Sequence, residues 1–147
     1  MRLDTVKLEL GKDWSGYEEA IRNALQHSNK LLTKINGYII DTAGKQLRPV
    51  LCLLSAQASG EVSQMSYECA AVCEIIHTAT LLHDDVADNG DIRRGVPTVK
   101  AAFSPAASVL TGDYWLARGV DLLINKCNTE ILGYFTTVLH DLSVGEI

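Results

Sequence analysis

The stretch MSYECAAVCEIIHTATLLHDD, residues 65–85, decides the fold class of this chain. Apolar side chains continue from Met65 through Leu82 with hardly a polar interruption and without an alternation of period two. A helix that is apolar on most of its surface is typical of a protein core. We therefore predict a long central helix, buried on most sides, that ends at Asp84 and Asp85.

The segments before this helix also carry helical signals. Apolar side chains in residues 21–39 recur on one stripe, which predicts a single helix that begins at a Ser15–Glu18 capping box. Pro49 lies where a first helical turn tolerates proline, and Gly60 is suited to close the helix that it opens.

The segments after the central helix complete an all-α pattern. Residues 89–97 are rich in glycine and arginine and predict a loop. Ser104 and Pro105 predict the cap and first turn of a helix that continues to about Lys126. Another helix begins at Thr129 and is still running at the end of the sequence. We predict about five to seven helices.

Composition narrows the possible functions. The chain has 147 residues, of which 47% are hydrophobic and 21% are charged, and this balance excludes a disordered chain. The net charge is −5, and no long basic run could follow a phosphate backbone, so we expect no nucleic-acid partner. No apolar run approaches the roughly 18 residues of a membrane span, so we expect no transmembrane segment.

The four cysteines lie in apolar stretches and predict a reducing, cytoplasmic location. Cys69 and Cys73 share a helix face, but no second pair of ligands follows at the spacing of a zinc site. We interpret the cysteines as small buried residues. They are Cys52, Cys69, Cys73 and Cys127.

Three aspartates at the end of the central helix are the most informative polar residues. Asp84 and Asp88 lie about 40° apart on a helical wheel and one turn apart along the axis. Like charges at this spacing repel, and the negative end of the helix dipole adds to the cost. A hard cation offsets both, and magnesium commonly shares one or two carboxylates with substrate phosphates. The alternative is a solvated acidic helix end. A calcium loop is excluded because Ala87 and Val96 would occupy ligand positions.

Basic residues near these acids favour a phosphate ligand. Arg93 and Arg94 follow within the reach of a loop, and guanidinium groups bind phosphate oxygens in pairs. Lys45 and Arg48 surround the start of the helix that contains Pro49, where free N–H groups also favour an anion. Two basic regions on one chain predict two phosphorylated substrates.

The central helix also connects the acids to an apolar interior. His77 lies on the same stripe as Asp84, about 10 Å away by helical rise. A histidine there is either a ligand-binding group or a satisfied core residue. Ala79 and Thr80 are small and leave room beside the helix, which predicts a substrate with a charged head and an apolar tail.

Four motifs carry a family resemblance over roughly residues 30–147. They are Gly44-Lys45-Gln46-Leu47-Arg48-Pro49, Leu81-Leu82-His83-Asp84-Asp85-Val86-Ala87-Asp88-Asn89, Arg93-Arg94-Gly95 with Pro97-Thr98, and Thr111-Gly112-Asp113-Tyr114. Together they resemble the motifs of trans-type polyprenyl diphosphate synthases, which have the isoprenoid synthase fold. The resemblance implies Mg²⁺-dependent elongation of an allylic prenyl diphosphate with isopentenyl diphosphate.

The resemblance also implies roles for individual residues. Asp84 and Asp88 would bind magnesium with support from Asp85, so all three would be catalytic, and Arg93 would contact the allylic diphosphate. Isopentenyl diphosphate would be held by Lys45, Arg48, His77 and Arg94. The small residues Ala79 and Thr80, just ahead of the acids, imply a product longer than farnesyl. Members of this family commonly form homodimers, and the helix after Pro105 is either a dimer face or part of the core.

One departure from the family limits the resemblance. Family members are about twice as long and carry a second aspartate-rich motif, and the acids after Asp113 form no such motif. We therefore expect residues 1–147 to be a single partial domain, the N-terminal half of a synthase that does not turn over alone. The alternatives are a non-catalytic diphosphate-binding or regulatory subunit of a heteromeric synthase and, less compatible with two basic regions, a class I terpene cyclase.

Overall fold

A computed structural model describes residues 2–146 as eight helices and one short β-hairpin. The all-α class is confirmed, with one helix more than the predicted upper bound. The helix predicted from Thr129 is described through Glu146. In chain order the elements are α1 Leu3–Leu10, α2 Lys12–Leu25, α3 Lys30–Asp41, α4 Leu47–Ser59, α5 Gln64–Ala87, β1 Ile92–Arg93, β2 Val96–Pro97, α6 Val99–Ala102, α7 Pro105–Lys126 and α8 Thr129–Glu146.

The central helix is α5, as predicted, and it packs against α2, α4 and most extensively α7. In its middle turns the side chains of Val72 and Ile75 are fully buried, whereas that of His77 is half-buried. Two glycines of α7 allow a close approach: a Cβ at Gly119 would lie 3.1 Å from Cγ1 of Ile76, and a Cβ at Gly112 would lie 2.5 Å from Nε2 of His83. The end of α5 that carries the aspartates therefore packs closely against α7.

Several predicted helix ends are confirmed. The Ser104 hydroxyl accepts a hydrogen bond from the Ala107 N–H at 3.0 Å, and Pro105 is the first residue of α7. Gly60 is the C-cap of α4, which begins two residues before Pro49. These signals act within a few residues, so the sequence specifies them locally.

The prediction of a single helix over residues 21–39 is wrong, because residues 26–29 are not helical and separate α2 from α3. Gln26 is extended, with ψ of 130°, and the side chain of Asn29 accepts a hydrogen bond from the Leu32 N–H at 2.9 Å. The asparagine thus caps a new helix. The apolar stripe resumes after the break, which is why its spacing suggested one helix.

The capping box predicted at Ser15 is also wrong. Helix α2 begins at Lys12, and the Ser15 hydroxyl donates to the Gly11 carbonyl at 3.4 Å from within the first turn. Gly11 has φ of 55°, a left-handed value that glycine adopts without steric cost, and it separates α2 from α1.

The four cysteines are free and half-buried. The structure brings Sγ of Cys69 within 3.5 Å of Sγ of Cys127, at the junction of α7 and α8. Across residues 2–146, no three His, Cys, Asp or Glu side chains form a group that could hold a metal ion. None of the helices described has both the length and the apolarity needed to cross a bilayer.

Candidate active site

One cavity of about 740 Å³ gathers most of the predicted site residues. It lies beside α5, and its wall includes the start of α4 and the hairpin. Six of the ten predicted site residues line it: Lys45, Arg48, His77, Asp85, Arg93 and Arg94. The two basic segments, 45 residues apart in sequence, therefore face one space.

Arg48 and His77 contact each other in the cavity wall. Nη1 of Arg48 lies 3.2 Å from Nε2 of His77. Burial, and then the positive charges of Arg48 and Arg94, lower the pKa of His77 to about 4. The imidazole is therefore neutral near pH 7, and its ring nitrogen accepts a hydrogen bond from the guanidinium. This contact orients Arg48.

Arg94 reaches the same wall from the hairpin. Arg94 and Gly95 form the two-residue turn between β1 and β2, with φ values of 53° and 76°. Two positive φ values are typical of a type I′ turn, which matches the twist of a hairpin. A Cβ at Gly44 would lie 2.5 Å from Cζ of Arg94. The absence of a side chain at position 44 therefore leaves space for this guanidinium.

Asp85 and Arg93 form an ion pair at the cavity edge. Nη2 of Arg93 lies 2.7 Å from Oδ1 of Asp85, and Nε lies 3.2 Å from the same oxygen. Asp85 is 7% exposed and Arg93 is more accessible. Without a ligand, this buried carboxylate is thus neutralised by the arginine that was predicted to contact the allylic diphosphate.

Asp84 and Asp88 differ from the buried Asp85 at the end of α5, because Asp84 is half-buried and Asp88 is exposed. Neither lines the cavity, and neither forms an ion pair among residues 2–146. Asp88 is the C-cap of α5, and its N–H donates to the Asp84 carbonyl at 2.7 Å. Two carboxylates that solvent at least partly reaches and that pair with no described cation are a donor set that suits a hard divalent ion when phosphate and water complete its coordination.

The predicted chain-length residues, Ala79 and Thr80, lie outside the cavity lining. Ala79 is 1% exposed in the core and faces α7, where a Cβ at Gly112 would lie 3.3 Å from its carbonyl oxygen. Thr80 is half-buried, and its hydroxyl donates to the His77 carbonyl at 2.7 Å.

Several residues of the cavity wall were not predicted from the sequence, among them Tyr17, Tyr38 and Glu74. The Tyr17 hydroxyl donates to Oε1 of Gln46 at 2.6 Å, and the Tyr38 hydroxyl donates to the Pro97 carbonyl at 2.5 Å. Burial raises the pKa of Glu74, although Arg48 and Arg94 oppose this shift. No motif marks these positions, because their partners are distant in sequence or lie on another helix.

Comparison with known proteins identifies the family. The model of the Polyprenyl synthetase family matches residues 29–147. The chain belongs to the polyprenyl synthetase family. This family member is 35% identical over 147 residues to the octaprenyl diphosphate synthase of Escherichia coli, covering the whole chain and 46% of that relative. It is 32% identical to component 2 of the heptaprenyl diphosphate synthase of Geobacillus stearothermophilus, again over the whole chain and 46% of the relative.

The fold of this family member agrees with that of a solved structure. The crystal structure of a decaprenyl diphosphate synthase from Rhodobacter capsulatus superimposes with a TM-score of 0.91 at 32% identity. The match covers 98% of this chain and 45% of that one. The isoprenoid synthase fold is therefore confirmed. The chain spans about half the length of the relatives that it matches.

His77 makes the stability of the folded chain depend on acidity. Its pKa is lowered to about 4 from an ordinary value of 6.5, so between these pH values the unfolded chain binds a proton that the folded chain does not. The free energy of unfolding should therefore fall as the pH drops from about 6.5 to about 4. We expect His77→Gln to flatten this slope in urea titrations at several pH values. His140→Gln, at an exposed histidine, should keep the wild-type slope, and an identical slope in both variants would contradict the assignment.

Proposed function

We propose that this chain supplies the diphosphate-binding half of a trans-prenyltransferase that elongates an allylic diphosphate with isopentenyl diphosphate. The observation that carries the proposal is the convergence of cations from two distant segments on one cavity beside an acidic helix end. One cationic group alone is common on protein surfaces. Two such groups facing one cavity suit two diphosphates, as the reaction requires.

Each residue set has a role in the proposed reaction. Lys45, Arg48 and Arg94 bind the diphosphate of isopentenyl diphosphate, and neutral His77 orients Arg48. Arg93 binds the allylic diphosphate after it exchanges Asp85 for phosphate oxygens. These charge-assisted contacts stabilise the negative charge that develops on the leaving diphosphate, and the double bond of the second substrate attacks the allylic carbon.

Asp84 and Asp88 are the residues that would hold Mg²⁺, with Asp85 supporting them. Bound Mg²⁺ would neutralise diphosphate oxygens and so improve the leaving group. The protein side of this site is the pair of carboxylates at the end of α5, of which one is half-buried and the other exposed. The apolar part of the cavity wall excludes water, which would otherwise trap the allylic cation.

The whole protein's activity is tested by incubating the complete enzyme with isopentenyl diphosphate, farnesyl diphosphate and Mg²⁺. Chromatography should separate a product longer than farnesyl, and omission of the metal should abolish it. Residues 1–147 correspond, we propose, to the N-terminal half of one synthase domain. This chain alone should bind Mg²⁺ and diphosphates in a titration without turnover. Failure to bind either ligand would contradict the proposal.

The second candidate function is a diphosphate-binding subunit of a heteromeric synthase. The relative from Geobacillus stearothermophilus is named as a component, which favours this possibility. Retention of the acids together with both cationic segments favours the catalytic role, since a subunit without catalysis does not need them together. Activity that appears only after addition of a different chain would support the heteromer.

Product length gives a further prediction. We propose a product longer than farnesyl, in keeping with the names of the octaprenyl and decaprenyl relatives. Thr80 lies outside the cavity described above, and we propose that the growing chain extends beyond this cavity along the Thr80 side of α5. Thr80→Phe should then shorten the product of the complete enzyme, because a ring would fill that space. Chromatographic sizing of products measures this, and an unchanged length would exclude the role. Ala79→Phe is a poorer test, since Ala79 is packed against α7 and a large ring there would overpack the core.

An exposed apolar face of α7 and the free thiols bear on self-association and on location. Helix α7 buries one face in the core, whereas Leu110 and Ile124 are exposed on it. We propose that this exposed face contributes to a homodimer, and light scattering of the purified protein tests it. The four free thiols favour the reducing cytoplasm.

A further inference from the structure

Tyr17 forms a hydrogen bond that packing of its ring does not require. Its side chain is 0% exposed and packs on Trp14, with ring centroids 4.7 Å apart. Phenylalanine would fill this space equally well. A buried hydroxyl needs a partner to offset the loss of water, and here the partner is Oε1 of Gln46 at 2.6 Å.

Gln46 has a backbone conformation that glutamine does not favour. Its φ and ψ are 56° and 46°, in the left-handed region, where glycine and asparagine are the usual residues. It is the N-cap residue of α4, yet its side chain makes no capping bond and points instead to Tyr17. Glycine would relieve the backbone strain but has no acceptor to offer.

The position of Gln46 connects this bond to the proposed substrate site. Lys45 precedes it and Arg48 follows two residues later, and all three line the cavity. A change of φ or ψ at residue 46 would turn Lys45 away from the direction of Arg48. Burial, followed by the negative charges of Glu74 and Glu18, raises the pKa of Tyr17 well above its usual range, so the hydroxyl remains a donor.

We propose that Tyr17 is a positioning residue for isopentenyl diphosphate: its hydroxyl fixes the left-handed turn at Gln46 and thereby directs Lys45 and Arg48 at the same anion. This inference rests on the proposed function. It gives a role in the substrate site to helix α2, which lies before the segment matched by the family model. In this proposal Tyr17 acts through Gln46.

The experiment compares two tyrosine variants by calorimetric titration with isopentenyl diphosphate. Tyr17→Phe should weaken binding about three- to tenfold, the range expected for one net hydrogen bond. Farnesyl diphosphate affinity in the presence of Mg²⁺ should not change. Tyr67→Phe is the matched control, because the Tyr67 hydroxyl donates to Oδ1 of Asp13 at the same 2.6 Å, away from the cavity. It should lower thermal stability without changing either affinity.

A second variant tests the effect of losing the hydrogen bond without disturbing the left-handed backbone at residue 46. Gln46→Asn tolerates the left-handed conformation and keeps an amide, but it is one methylene too short for Tyr17. It should reproduce the loss of affinity, and the double variant should lose no more than either single variant. This variant also keeps the proposal testable if Tyr17→Phe folds poorly.

The outcomes distinguish failure of the positioning role from failure of the proposed function. Wild-type affinity in Tyr17→Phe, or an equal loss in Tyr67→Phe, would overturn the positioning role and leave the proposed function intact. A wild-type protein that binds no isopentenyl diphosphate would overturn the proposed function, and the positioning role with it. An additive double variant would show that Tyr17 and Gln46 act separately, which also overturns the positioning role.

Discussion

Replacing Asp84 with alanine is expected to lower the turnover of the complete enzyme by about 10³-fold. Asp84 is half-buried at the end of α5 and forms no ion pair among residues 2–146, so its carboxylate is available to a metal ion. Removal of one ligand from a two-carboxylate site should lower the affinity for the metal ion and leave the negative charge of the diphosphate uncompensated. The measurement is a steady-state rate at saturating Mg²⁺ and substrates.

The same variant should fold normally. Loss of one carboxylate relieves repulsion with Asp88 and removes a negative charge from the negative end of the α5 dipole. The melting temperature should therefore stay the same or rise slightly. Asp141→Ala, at an exposed aspartate of α8, is the matched control and should retain wild-type turnover. Near-normal turnover of Asp84→Ala would refute its role in the reaction.

Arg93→Ala is expected to have two separable effects. Loss of the guanidinium leaves Asp85 buried and unpaired, which should destabilise the fold by about 1–2 kcal/mol, because Arg93 itself is 38% exposed. It should also weaken the binding of the allylic diphosphate about 100-fold, through the loss of bidentate, charge-assisted contacts. Urea unfolding measures the first effect, and calorimetric titration measures the second.

The double variant Arg93→Ala/Asp85→Asn distinguishes these effects. An uncharged amide at position 85 leaves no buried charge to compensate, so stability should return towards that of the wild type. Affinity for the allylic diphosphate should remain low, because the guanidinium is still absent. Recovery of affinity in the double variant would mean that Arg93 acts only as the partner of Asp85.

The sequence predicts those parts of the fold whose causes are local. The continuous apolar run of α5 identifies the central helix, and Ser104 with Pro105 identifies the start of α7. The break between α2 and α3 was missed because the apolar stripe continues in phase on both sides of it. The cap at Asn29 depends on a single side-chain contact, which a periodic pattern does not reveal.

In the candidate site, too, some residues could be predicted from the sequence and others required the structure. The cationic residues at positions 45, 48, 93 and 94 could be selected from charge and from the resemblance to a known family, and the structure brings them around one cavity. The ion pair between Arg93 and Asp85 was not predicted. The resemblance implied that Arg93 contacts the allylic diphosphate and that Asp85 supports magnesium binding. The bond between Tyr17 and Gln46 joins residues 29 positions apart, so it requires a three-dimensional structure.

The glycine contacts between α5 and α7 restrict what this fold can vary. At Gly112 only a hydrogen atom stands between the α7 backbone and the imidazole of His83, the residue that immediately precedes Asp84. A single methyl group there would push the ring away from Asp113, whose Oδ1 lies 3.0 Å from Nε2 of His83, and would lie 3.3 Å from the Ala79 carbonyl oxygen. The spacing of these two helices therefore depends on a glycine at position 112, and even the smallest side chain there is expected to lower the melting temperature.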